Sequence, residues 1–162
     1  MNFALGCPVA KALSAWPEGK EKRSDGNHPS GATSQLGEKT RSHGRIRRTR
    51  PNMLEHFKFL KANVKKGTPK FTMPSPAMLH ARADRASIKK TYPNLDNFWA
   101  DLTQCYREEI ADLYKAGCRY LQIDDTTIAM FGDAKVQEQF RKIGDDPKKD
   151  VAIYAEAVNA AI

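Results

Sequence analysis

The chain has 162 residues, 40% of them hydrophobic, and a formal net charge of +8 at neutral pH. That length allows one domain with a core, and the excess charge sits in the first third: residues 1–50 hold 10 Lys and Arg against 4 Asp and Glu, residues 51–162 hold 17 against 15. No apolar run approaches the roughly 18–20 residues that span a bilayer. Three cysteines without metal-type spacing, Cys7, Cys105 and Cys118, argue against a disulfide framework. The stretch from Met1 to Ala10 lacks the positive region of a secretory leader. These features predict a cytoplasmic protein with no membrane partner.

Residues 1–50 carry six of the ten glycines and no sustained helical or strand period. They are read as a disordered or irregular basic tail. The run Arg45-Ile-Arg-Arg-Thr-Arg50 could hold nucleic acid or an anionic partner. No aromatic residue interleaves with its arginines, so a solvated basic lead-in to the next helix is the preferred reading.

From Pro51 to Ile162 the pattern is that of a folded unit. Asn52 with Glu55 three residues later suggests a capping box, followed by Leu54, Phe57, Leu60 and Val64 at helical spacing and a stop at Gly67. Lys70 to Met73 reads as a short strand, halted by Pro74-Ser-Pro76. A long helix is predicted from Asn94 to Gly117, with Leu95, Phe98, Trp99, Leu102, Cys105, Tyr106, Ile110, Leu113 and Tyr114 as its buried stripe. A strand, Arg119 to Ile123, follows at once. Asp146-Pro147 then opens a last helix with Val151, Tyr154, Ala155, Val158 and Ile162 on one side. Strand, helix, strand, helix is the unit of a parallel sheet. Two strands make no stable open sheet, and the chain stops inside a periodic helix, so a piece of something larger is expected.

The chemistry is expected at the carboxyl end of the second strand, where parallel folds build their sites. Adjacent strand residues point to opposite faces, so Gln122 and Asp124 share one face while Ile123 turns to the helices and Asp125 lies near the exit. Asp124 either meets a ligand or caps the following turn. Ser75 either lines the same pocket or serves only as a rigid turn. His80, with no carboxylate or cysteine at ligand spacing, reads as an ordinary polar residue. Cys105 and Cys118 read as packing residues. No catalytic residue and no metal ligand is assigned within the chain.

Lys70-Phe-Thr-Met-Pro-Ser-Pro76, Tyr106-Arg-Glu-Glu-Ile110 and above all Ala116-Gly-Cys-Arg-Tyr-Leu-Gln-Ile-Asp124 resemble the C-terminal catalytic barrel of cobalamin-independent methionine synthase. The resemblance spans roughly residues 45–162. It implies a partial (β/α)8 TIM barrel over 51–162, lacking the remainder of its strands. The implied parent activity is zinc-dependent transfer of a methyl group from 5-methyltetrahydrofolate, or another donor, to the thiol of homocysteine in methionine biosynthesis. A thiol bound to zinc is deprotonated and nucleophilic at neutral pH. The resemblance implies that Asp124 holds the amino group of the small-molecule thiol substrate. It also places the zinc ligands outside this chain. Two strands and their helices leave apolar faces and sheet edges uncovered, so the chain alone is expected to be inactive and poorly soluble. Two departures bear on the donor: Asp125 and Thr126 stand where the family's synthases read Glu-Pro, and the segment Ser75 to Arg82 has no tryptophan to stack on a pterin. A thiol alkyltransferase with a different donor is the alternative within the superfamily. A non-catalytic protein binding nucleic acid through its basic tail is the alternative outside it.

Overall fold

Asn94 and Asp146 act as the sequence suggests. A computed structural model describes residues 41–162; of the tail predicted over residues 1–50, residues 1–40, Cys7 included, lie outside the described residues. The Asn94 side chain accepts from Asp96 N and opens a helix over Leu95–Lys115, and Asp146 accepts from Lys148 N ahead of Pro147–Ala161. In chain order the elements are α1 (Leu54–Asn63), β1 (Lys70–Pro74), α2 (Pro76–Arg82), α3 (Arg85–Thr91), α4 (Leu95–Lys115), β2 (Tyr120–Asp124), α5 (Thr126–Met130), α6 (Ala134–Lys142) and α7 (Pro147–Ala161). The fold is mixed α/β and mostly helical, and no helix among the described residues is long and apolar enough to cross a membrane.

β1 and β2 pair in parallel, Lys70 opposite Tyr120 through to Pro74 opposite Asp124. The crossover between them contains α2, α3 and α4 rather than one long helix alone. Phe71, Met73, Leu121 and Ile123 pack into the helical core. By strand alternation Thr72, Pro74, Gln122 and Asp124 face the other way. The helices therefore cover one side of the sheet, and Gln122 and Asp124, two of the predicted site residues, lie on the opposite side.

α4 organises the core. Phe98, Leu102, Cys105, Tyr106 and Leu113 are buried as its spacing predicts, but Tyr114 is 61% exposed, with the Arg119 guanidinium 4.1 Å over its ring. α7 is rotated relative to expectation. Asp150, Tyr154, Ala157 and Ala161 are buried, whereas Ala155 and Ile162 are exposed. Tyr154 packs against His80 of α2 and Trp99 of α4, Ala157 and Ala161 are buried with it, and Val151 and Val158 are half-buried.

The capping box at Asn52 does not form. α1 begins with Met53 as N-cap and no side-chain cap of its own. Glu109, on the buried side of α4, accepts from Asn52 N at 2.9 Å and from Met53 N at 2.7 Å instead. The same carboxylate takes the Arg48 guanidinium at 2.8 Å, whose second arm reaches Asp112 at 2.6 Å. Arg45 pairs with Asp101, and Ile46 is 3% exposed with its N–H donating to the Tyr92 hydroxyl. Residues 41–50 thus hold no helix or strand, yet Ile46 and Arg48 dock on the core. For Arg48 the reading of a solvated lead-in is corrected. A buried carboxylate needs an opposite charge at hydrogen-bond distance, and that draws a guanidinium out of water.

His80, read as an ordinary polar residue, proves to be buried. It is 2% exposed, shares a 2.9 Å hydrogen bond with Tyr154 through Nδ1, and stands among the rings of Phe98, Trp99 and Tyr154. Burial, aided by the Arg85 charge, lowers its pKa to about 3, so the ring is neutral at physiological pH.

Candidate functional site

The carboxyl ends of β1 and β2 are locked together by side chains the sequence places there. Proline at 74 brings no N–H, and its carbonyl accepts from the Tyr106 hydroxyl of α4 at 2.9 Å. Ser75 N donates to the Asp124 carbonyl at 2.9 Å, which carries the parallel ladder one step past the paired strands. Pro76 then starts α2 at a position that needs no donor.

Gln122 and Asp124 lie together on the sheet face turned from the helices, as their spacing predicts. The Gln122 amide donates to Asp124 Oδ1, and both side chains are half-buried. The predicted cap belongs to the neighbouring acid. Asp125 Oδ1 accepts from Thr127 N at 2.9 Å and Ile128 N at 3.0 Å, opening α5. Asp125, not Asp124, is therefore the N-cap of α5.

Ser75 is completely buried, and its hydroxyl donates to Asp125 Oδ2 at 2.9 Å. It stands at the site but does not open onto the Asp124 face. Thr127, 1% exposed, completes the group; its Oγ1 has no hydrogen-bond partner among the described residues. Sequence reasoning missed the link from Ser75 to Asp125. A hydroxyl fifty residues from its acceptor leaves no periodic trace, although Asp125 followed two residues later by Thr127 is a recognisable N-cap pattern.

The described residues do not fit a zinc ion. No group of three or more His, Cys, Asp and Glu side chains among them is placed to hold a metal. Cys118 is buried with Sγ directed to the Tyr120 carbonyl at 3.6 Å, Cys105 packs in the α4 core, and His80 is engaged with Tyr154.

No family model matches the chain. It is 37% identical to the uncharacterized protein YxjH of Bacillus subtilis over 121 residues, 74% of this chain and 31% of that protein. It is also 37% identical to the uncharacterized protein YxjG of the same organism, over 112 residues, 68% of this chain and 29% of that protein. Among solved structures it is similar to a candidate vitamin-B12 independent methionine synthase from Listeria monocytogenes. That similarity has 34% identity and a TM-score of 0.57, and it covers 72% of this chain and 34% of the other. The chain spans about a third of the length of the curated relatives it matches. The structural similarity supports the methionine-synthase-like resemblance of the segment.

Proposed function

We propose that this chain is the part of a methyltransferase-like (β/α)8 barrel that holds the amino group of a small thiol amino acid. The observation that carries the reading is the pair Gln122 and Asp124. They sit side by side at the carboxyl end of a parallel strand, on the face away from the helices, in a segment 34% identical to a candidate methionine synthase. An ammonium group entering a partly dry site needs an opposite charge at hydrogen-bond distance. Asp124 supplies it, and the Gln122 amide fixes which carboxylate oxygen remains for the ligand.

The parent reaction in this reading transfers a methyl group to the substrate thiol. 5-Methyltetrahydrofolate is the first candidate donor, and another alkyl donor is the alternative. Zinc would be bound by residues outside this chain, and no step assigned to Asp124 or Gln122 passes through it. The rival reading, nucleic-acid binding through the basic run, loses two of its cations to ion pairs, since Arg45 is paired with Asp101 and Arg48 with Glu109 and Asp112.

Calorimetric titration of the 162-residue chain with L-homocysteine and with 4-mercaptobutyrate, which keeps the thiol and carboxylate but lacks the amino group, tests the assignment. Binding of the amino acid alone is expected. Asp124→Asn should weaken it about 10- to 100-fold, the range for a hydrogen bond to a charged group. Equal affinity for the two thiols, or an unchanged Asp124→Asn, defeats the proposal. The chain alone is expected to show no methyl transfer from 5-methyltetrahydrofolate.

A further inference from the structure

We propose that Ser75 and Asp125 form a clasp that positions Asp124 without touching the ligand, a role that rests on Asp124 being the ammonium acceptor. The Asp125 carboxylate is surrounded by donors. Oδ1 takes the N–H groups of Thr127 and Ile128, and Oδ2 takes the Ser75 hydroxyl. With three hydrogen bonds made, Asp125 is committed to the backbone of α5 and to the end of β1.

Its neighbour is held from the other side. The Asp124 carbonyl accepts from Ser75 N, so one residue, Ser75, bonds to both acids, by backbone to Asp124 and by side chain to Asp125. Ser75 is itself fixed: it is fully buried, it follows Pro74, whose carbonyl is anchored by Tyr106, and it is the N-cap of α2. The backbone on both sides of the Asp124 Cα is thereby tied down. A side chain on such a backbone has its χ1 wells set in space, so the carboxylate meets the ligand without first losing backbone freedom.

Affinity for L-homocysteine separates this role from direct contact and from mere stability. Ser75→Ala and Asp125→Ala each remove the clasp and are expected to weaken binding about 3- to 10-fold, the worth of one to two ordinary hydrogen bonds. Asp125→Asn restores most of the affinity lost in Asp125→Ala. An amide oxygen still caps Thr127 and Ile128, and an amide NH2 can donate to the Ser75 hydroxyl, which accepts as well as donates. If Asp125 met the ammonium itself, Asp125→Asn would lose as much as Asp125→Ala, and the positioning role would be overturned. Thermal unfolding of each variant, run in parallel, identifies a purely structural residue by a lowered midpoint with unchanged affinity, which also overturns it. An unaffected Asp124→Asn sinks the ammonium site. A damaged Asp124→Asn beside unaffected Ser75→Ala and Asp125→Ala sinks only the clasp.

Discussion

The Arg48 guanidinium lies 2.8 Å from the Glu109 carboxylate, with the two side chains only 10% and 6% exposed. Glu109 also closes the start of α1 through Asn52 N and Met53 N, so one buried carboxylate joins α4, the first helix and the segment before it. Glu109→Ala leaves Arg48 with Asp112 alone and two N–H groups without an acceptor. The expected loss of stability is about 3–5 kcal/mol, as for a broken buried pair. Glu109→Gln, which keeps an acceptor, should lose about 1–3 kcal/mol. Urea denaturation midpoints measure both. An unchanged midpoint in Glu109→Ala would refute the stabilising role of this carboxylate.

The second prediction concerns pH. Asp150 is 6% exposed, and its Oδ2 has no partner among the described residues. Burial, reinforced by Asp145, raises its pKa to about 6 despite the Arg85 charge nearby. Its folded pKa lies above the unfolded value, so its contribution to stability is full below about pH 4 and is lost as pH rises through about 6. His80 runs the other way. Its folded pKa is depressed, so its contribution is full above about pH 6.5 and is lost as pH falls toward 3. Between pH 4 and 6 the two slopes oppose each other. Asp150→Asn should therefore make stability fall more steeply on acidification, by about 1–2 kcal/mol over that window. His80→Gln should make it rise. Chemical denaturation at a series of pH values reads both, and parallel curves for wild type and Asp150→Asn would refute the assignment.

Gly117 supplies a third test. It ends α4 with φ at +97°, and a Cβ there would meet Lys61 Nζ at 2.5 Å. The lysine can swing away, although it would give up its 2.8 Å hydrogen bond to the Ala116 carbonyl. The backbone angle offers no such escape. Gly117→Ala is expected to lower stability by about 1–2 kcal/mol, the usual penalty of a left-handed residue with a side chain. A Lys61→Ala background should recover little of it. Recovery of most of the loss would show that contact with the lysine, not the dihedral angle, governs the position.

Much of the scaffold is legible along the chain because its signals are local. Asn94, Gly117 and Asp146-Pro147 announce the ends of α4 and the start of α7, and the long 3.6-residue stripe of α4 announces its buried face. The short helices are not legible in this way. α2 buries Pro76, Ala77, Leu79, His80 and Ala81 within seven residues, so no polar side remains to mark a period. α5 has five residues, too few to show one. The errors on α7 have a related cause. Counting apolar side chains favours Ala155 and Ile162, while close packing against α4 selects Ala157 and Ala161.

At the candidate site the sequence determined, by itself, that Gln122 and Asp124 share a strand face and that an acid follows at the exit. That follows from two-residue alternation and a glycine stop, both properties of neighbouring residues. Only the tertiary structure decided which of the two acids caps α5 and meets Ser75. Asp125 is committed because Ser75, fifty residues earlier, arrives beside it when β1 pairs with β2. Glu109 likewise looks like any helix carboxylate until Arg48 and the start of α1 are folded against it. Contacts between distant segments depend on how the elements pack, and nothing in local spacing encodes them.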